Sequence, residues 1–268
     1  MTNSSAVPAS LITIPLSHYC EKARWALDRV AFPYREEPHA PLFHWLATKG
    51  KDGGTVPVMV DATSRFVDST EILVHVDAVS GGGLLYPSDA VLRGEVDVLE
   101  QRFDTELGPH TRRWAYAHLL PHAKLLRSLW ARNVPWLEAR LLPVITPLAV
   151  RLVYAGYKIT PESAQRSLER VRSVFRQVDQ QLSDGRRFLT GERFTAADLT
   201  FAALAAPVLL PVECRAVQPA LETVPAAMRE EILGFRNTDA GRFALRLFAQ
   251  ERGRSAATRC LSPQVQRC

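Results

Sequence analysis

Ser17 and Cys20 stand three residues apart in Ser17-His18-Tyr19-Cys20-Glu21-Lys22-Ala23-Arg24, where the apolar pattern changes from strand-like to helix-like. Upstream, Leu11-Ile12-Thr13-Ile14 is rich in β-branched residues and reads as a strand. Downstream, Cys20, Ala23, Leu27 and Val30 recur at helical spacing and share one helix face. Ser17 therefore falls on a strand-to-helix turn. Helix N-termini present unpaired backbone N–H groups and the positive end of the helix dipole, so they hold anions and lower the pKa of a nearby hydroxyl or thiol. Serine also serves there as a plain N-cap.

Three other places carry site chemistry or its scaffolding. In Thr55-Val56-Pro57-Val58 a proline opens a predicted strand. In Asp68-Ser69-Thr70 an acid and two hydroxyls open a predicted helix, where helix-terminal donors suit a carboxylate and the acid suits an ammonium. Capping alone also explains that triplet. In Phe194-Thr195-Ala196-Ala197-Asp198-Leu199, Thr195 and Asp198 have the spacing of a capping box, with Phe194 and Leu199 as its hydrophobic staple.

The elements that must position these residues divide into a mixed first part and a helical second part. Strands are expected at 11–14, 32–37, 56–60 and 66–67, with helices after Ser17 and over 69–79. The glycine-rich Ser80-Gly81-Gly82-Gly83 reads as a linker. Beyond Ser88 nearly every segment reads as helix. One runs to Gly108-Pro109 with Val91, Val98, Leu99, Phe103 and Leu107 as its apolar pattern, and another starts at Thr160-Pro161 and runs to Asp184-Gly185.

Composition narrows the function classes. The 268 residues, 47% hydrophobic and 23% charged, suit two globular domains. The net charge of +5 is spread along the chain, with one concentration in the tail from Arg252 to Cys268, and no nucleic-acid-binding motif accompanies it. The cysteines at 20, 214, 260 and 268 form no C-x-x-C pair and no zinc spacing, and read as reduced thiols. His118 and His122 stand four apart, but Pro121 interrupts the turn and no third ligand is evident, so no metal is expected. The first ten residues lack the pattern of a signal peptide, and a cytoplasmic location is expected. The apolar run Leu141–Val150 sits between Arg140 and Arg151 and is too short to cross a bilayer, so it reads as a buried hairpin or a membrane-touching surface, with burial preferred and no stable membrane insertion. Trp114 and Tyr116, near Arg112 and Arg113, suit either a hydrophobic pocket or a core stripe.

Two of these motifs carry a family resemblance. The Ser-x-Tyr-Cys spacing resembles the Cys-Pro-Tyr-Cys of glutaredoxins, with Ser17 replacing the nucleophilic cysteine and Cys20 at the resolving position. The pattern Phe188-Leu189-x-Gly191-x-x-Phe194-Thr195-x-Ala197-Asp198 is similar to the helix-nucleating signature of glutathione transferases. Over roughly residues 11 to 250 the chain resembles the cytosolic glutathione transferase superfamily, serine type.

That resemblance implies a thioredoxin-like α/β N-terminal domain at 1–83 and an all-α C-terminal domain at 88–250; the arginine-rich 251–268 lies outside it and is expected to be a flexible tail. It implies glutathione as cosubstrate, a small-molecule electrophile as second substrate, a detoxifying transferase activity and a homodimer. Ser17 would stabilise the glutathione thiolate. The backbone of Val56, ahead of a cis Pro57, would pair with the peptide, and Asp68 and Ser69 would hold its γ-glutamyl end. Lowering a thiol pKa of about 8.5 by about two units corresponds to roughly 2.7 kcal/mol, within the roughly 1.5–3 kcal/mol that one hydrogen bond to a charged group supplies. One departure stands out. The family's lysine directly before Val-Pro is missing, and Lys49 or Lys51 would have to substitute for it. A non-catalytic binding or assembly module and a Cys20-based thiol transferase are the alternatives.

Overall fold

A computed structural model describes residues 8–48 and 54–257 of the chain. Lys49, Lys51, Cys260 and Cys268 lie outside the described residues.

The first part runs β1 (Ala9–Thr13), α1 (His18–Arg29), β2 (Tyr34–Pro38), α2 (Phe43–Ala47), β3 (Val58–Val60), β4 (Arg65–Phe66) and α3 (Ser69–Val79). The sheet order is β2-β1-β3-β4, with β1 and β2 parallel and both other pairings antiparallel. This is the thioredoxin-like α/β arrangement. A parallel β1–β2 pair needs a crossover, which α1 supplies. The α1 helix starts where Ser17 caps it and ends at Val30, before Ala31 turns to a φ of 52°.

The second part is helical: α4 (Ala90–Glu106), α5 (Gly108–Leu119), α6 (Ala123–Trp130), α7 (Trp136–Gly156), α8 (Pro161–Leu182), α9 (Ala196–Leu209), α10 (Ala226–Arg236) and α11 (Asp239–Glu251). Its axis is α9, whose residues are all buried except Pro207 and which packs on α1, α4, α5, α10 and α11. A helix that is apolar all round can satisfy its surface only in this way. At its centre, Phe201 lies against Phe103, Phe175 and Phe243, with ring centroids 5.2, 5.6 and 6.1 Å away.

The two parts meet on α1, whose charged face is as buried as its apolar one. Lys22, fully buried, reaches Asp104 Oδ2 at 2.6 Å, Thr70 Oγ1 at 2.9 Å and Glu100 Oε1 at 3.0 Å, so one ammonium ties α1 to α3 and α4. On the other side, Glu21 and Asp28 accept from Arg252 at 2.6 and 2.8 Å, and Asp28 also accepts from Arg215 at 2.8 Å. Removing one partner from such a buried pair costs roughly 3–5 kcal/mol. Gly108 opens α5 where no side chain fits, because a Cβ there would stand 2.2 Å from Tyr19 Oη.

Three expectations need correction. Val91 and Val98 of α4 face outward, leaving Phe103 and Leu107 as the buried end of that pattern. The run Leu141–Val150 is neither a hairpin nor buried: it is the middle of the continuous helix α7, which tolerates Pro143 and Pro147 and buries only Leu142, Thr146 and Ala149 of the run. The tail is not free from Glu251 onward, because Arg252 is drawn inside by Glu21 and Asp28, while Ala256 N donates to Asp28 Oδ1 at 2.7 Å and Ala257 pairs with Tyr34. The rest of the tail, 258–268, lies outside the described residues.

Candidate functional site

The β1–α1 turn presents Ser17. Its backbone N–H donates to Ile14 O at 2.9 Å, and its Oγ accepts from Cys20 N at 3.3 Å, which closes the first turn of α1. A hydroxyl that accepts at one lone pair still has a proton to donate. The segment after α9 braces this turn, with Val217 N donating to Pro15 O at 2.8 Å.

Ser17 lines a cleft of about 1040 Å³, its open mouth included, between the two parts of the molecule. One wall carries Ser17, Thr55 and Val56; the other carries Arg112, Tyr116, Leu119 and Met228. The Val56–Pro57 peptide is cis, and the loop before it is fastened by His44, whose Nε2 donates to Gly54 O at 2.9 Å. A carbonyl only accepts, so Nε2 carries the His44 proton.

The cleft is electrostatically one-sided. Arg112 lies over the Tyr157 ring at 4.2 Å and the Tyr19 ring at 5.6 Å, and its buried Nε has no hydrogen-bond partner. Next to Ser17, His18 donates from Nε2 to Gly108 O at 2.9 Å. Burial, assisted by the Arg112 charge, holds the His18 pKa down at about 3, so it is neutral at physiological pH. Guanidinium on an apolar wall, a serine hydroxyl at a helix N-terminus and Val56 ahead of the cis proline make a cleft suited to an anionic ligand with an apolar partner.

Of the residues singled out from sequence, the structure gathers Ser17 and Val56 into this cleft. Asp68 and Ser69 stand at the N-terminus of α3, outside the cleft lining; Asp68 is exposed and accepts from Thr70 N at 2.7 Å and Glu71 N at 3.3 Å. Cys20 points into the core, and burial pushes its pKa up, the reverse of what a reactive thiol requires. The capping box forms away from the cleft: Asp198 accepts from Thr195 N and Leu189 N, each at 2.8 Å. His118 stacks edge-on against Trp114 at 4.9 Å. Sequence reasoning passed over His44 and Tyr157, which no periodicity marks, noted Arg112 only as a neighbour of Trp114 and Tyr116, and left those two aromatics undecided between pocket and core; Tyr116 lines the cleft and Trp114 is buried outside it.

A thioredoxin-like domain that shares a cleft with a helical domain defines the class. Residues 11–82 match the family described as "Glutathione S-transferase, N-terminal domain", and residues 161–211 match "Glutathione S-transferase, C-terminal domain". Poplar glutathione transferase F1 is similar in structure, with 16% identity, a TM-score of 0.54, and coverage of 91% of this chain and 99% of that one. A β-etherase from Sphingobium sp. strain SYK-6 gives 15% identity and a TM-score of 0.58, covering 90% of this chain and 99% of its own. A glutathione S-transferase I bound with lactoylglutathione gives 14% identity and a TM-score of 0.54, covering 90% of this chain and all of that one (100%). No curated protein sequence matches the chain. The two domain matches, in this order on this fold, support the glutathione S-transferase superfamily and, in general terms, glutathione-dependent transferase activity.

Proposed function

We propose that this protein joins the sulfur of glutathione to a small apolar electrophile, with Ser17 holding the thiolate. The observation that carries this reading is the placement of Ser17, at the cap of α1, on the same cleft as Val56 and an apolar wall from the helical domain. The similar glutathione S-transferase bound with lactoylglutathione lends support.

In this reading Val56 offers its backbone N–H and C=O to the peptide, and the sulfur lies against Ser17. The Ser17 hydroxyl donates to the sulfur while its oxygen keeps accepting from Cys20 N. Helix α1 contributes its N-terminal field, and the Arg112 charge favours the anion further. The thiolate attacks the electrophile held against Tyr116, Leu119 and Met228, forming the carbon–sulfur bond as the leaving group departs. Asp68 and Ser69, at the N-terminus of α3 beyond the cleft lining, hold the γ-glutamyl end. The molecule works as a homodimer, and the exposed Val91 and Val98 of α4 give that contact an apolar patch.

The test is steady-state turnover with an aryl halide electrophile, in parent and Ser17→Ala. Ser17→Ala should lower kcat about ten- to a thousandfold, roughly 1.4–4 kcal/mol, with glutathione affinity little changed. Unchanged turnover in Ser17→Ala would overturn the assignment.

A further inference from the structure

The α7 helix leaves an apolar stripe outside. Leu137, Leu141, Val144, Leu148 and Leu152 follow at intervals of four, three, four and four residues, so they form one line along the helix, and all five are exposed, Val144 by 79%. The opposite side is occupied by the body of the protein. Leu142, Thr146 and Ala149 are buried, and Glu138 is paired with His39 Nδ1 at 2.6 Å and Ala40 N at 2.7 Å.

Among the described residues α7 is the helix long and apolar enough to cross a membrane, with mean hydropathy 1.3, yet only 17% of that window is buried. It cannot leave the body of the protein to span a bilayer without stripping Glu138 of both partners. Charge decides how the stripe is used. At about 100° per residue, Arg140 and Arg151 fall within roughly 20° of each other along one border of the stripe. Both are exposed, as are Arg132 before the helix, Lys158 after it and Trp136 at its first position. Glu138 is the helix's one acid and faces inward, so the outer surface is apolar and cationic with no carboxylate.

A second copy of the chain is a poor occupant. A stripe roughly 25 Å long and about 10 Å wide falls well short of the about 800 Å² per partner in a stable interface. Two such faces would also set like charges together. Helices that lie in a bilayer interface pair an apolar face with flanking cations and a terminal aromatic.

We propose that α7 is a docking surface for an anionic lipid bilayer, lying in the headgroup region with Leu141, Val144 and Leu148 among the acyl chains and Arg140 and Arg151 at the phosphates. Docking would set the cleft beside the membrane, because Tyr157, directly after α7, lines it.

Co-sedimentation with phosphatidylcholine vesicles, with and without phosphatidylserine, tests this. The full chain should pellet with the anionic vesicles and stay largely in solution with the neutral ones. Val144→Glu with Leu148→Glu should abolish pelleting while the melting temperature is kept, and Arg140→Gln and Arg151→Gln should each weaken it roughly fivefold. A parent that stays in solution with both vesicles overturns the proposal, as do variants that pellet like the parent. Light scattering that shows a dimer lost in Val144→Glu also overturns it, in favour of a second copy.

Discussion

Replacing Asp198 by alanine removes an acceptor that three donors share. Oδ1 takes Leu189 N at 2.8 Å; Oδ2 takes Thr195 N at 2.8 Å and Thr195 Oγ1 at 3.1 Å. Asp198 is fully buried, so water cannot take its place. Two orphaned buried N–H groups cost roughly 1–3 kcal/mol each, or about 2–6 kcal/mol together. At about 2–4 °C per kcal/mol for chains near this size, the melting temperature should fall by at least about 4 °C. The effect carries a pH signature. Burial pushes the Asp198 pKa up to about 6, above its ordinary value, so its contribution is fullest at low pH and is lost as pH rises through 6. Denaturant melts should therefore show Asp198→Ala destabilised by about 1 kcal/mol more at pH 5 than at pH 7.5. A variant that melts with the parent at both pH values refutes the reasoning, and Asp198→Asn, which keeps one accepting oxygen, should fall in between.

The neutral His18 gives a slope of opposite sign. Its pKa is held at about 3 in the folded chain, so the unfolded chain gains the proton first and stability falls as pH drops from about 6.5 towards 3, by up to about 1.4 kcal/mol per pH unit. His18→Asn should flatten that slope in denaturant melts, and parallel slopes would contradict it. Gly108→Ala forces a Cβ against Tyr19 Oη, so it should lower the melting temperature and loosen the two parts, read as faster proteolysis between α3 and α4. Asp68→Ala and Ser69→Ala should weaken glutathione binding in isothermal titration more than they alter the thiol pKa; if they bind like the parent and only melt earlier, these residues are caps.

Much of the fold was legible because local signals agreed with it. The run 69–79 reads as a helix with Ile72, Leu73, Val76 and Val79 inward, and α3 is that helix, capped by Asp68, with the first three buried and Val79, at the helix end, exposed. Thr195 and Asp198 announce a capping box, and the box forms. Periodicity failed where burial is ionic. Glu21, Lys22, Arg24 and Asp28 fall outside the apolar stripe of α1 that periodicity marks, and distant partners, Arg252 among them, bring them inside. Val91 and Val98 fit a helical pattern that tertiary packing does not use. Ser17 was found because strand, cap and helix are contiguous. The facing wall, with Arg112 and Tyr157, comes from segments whose approach to Ser17 is a matter of packing, which no local spacing records.

The central claim is that Ser17 holds a glutathione thiolate in the cleft. The most direct measurement is the thiolate ultraviolet absorbance of the glutathione-saturated protein, titrated with pH for parent and Ser17→Ala. The parent should show an apparent thiol pKa about two units below the free value of about 8.5, and Ser17→Ala should return most of the way towards it. Identical titrations in the two proteins would contradict the account.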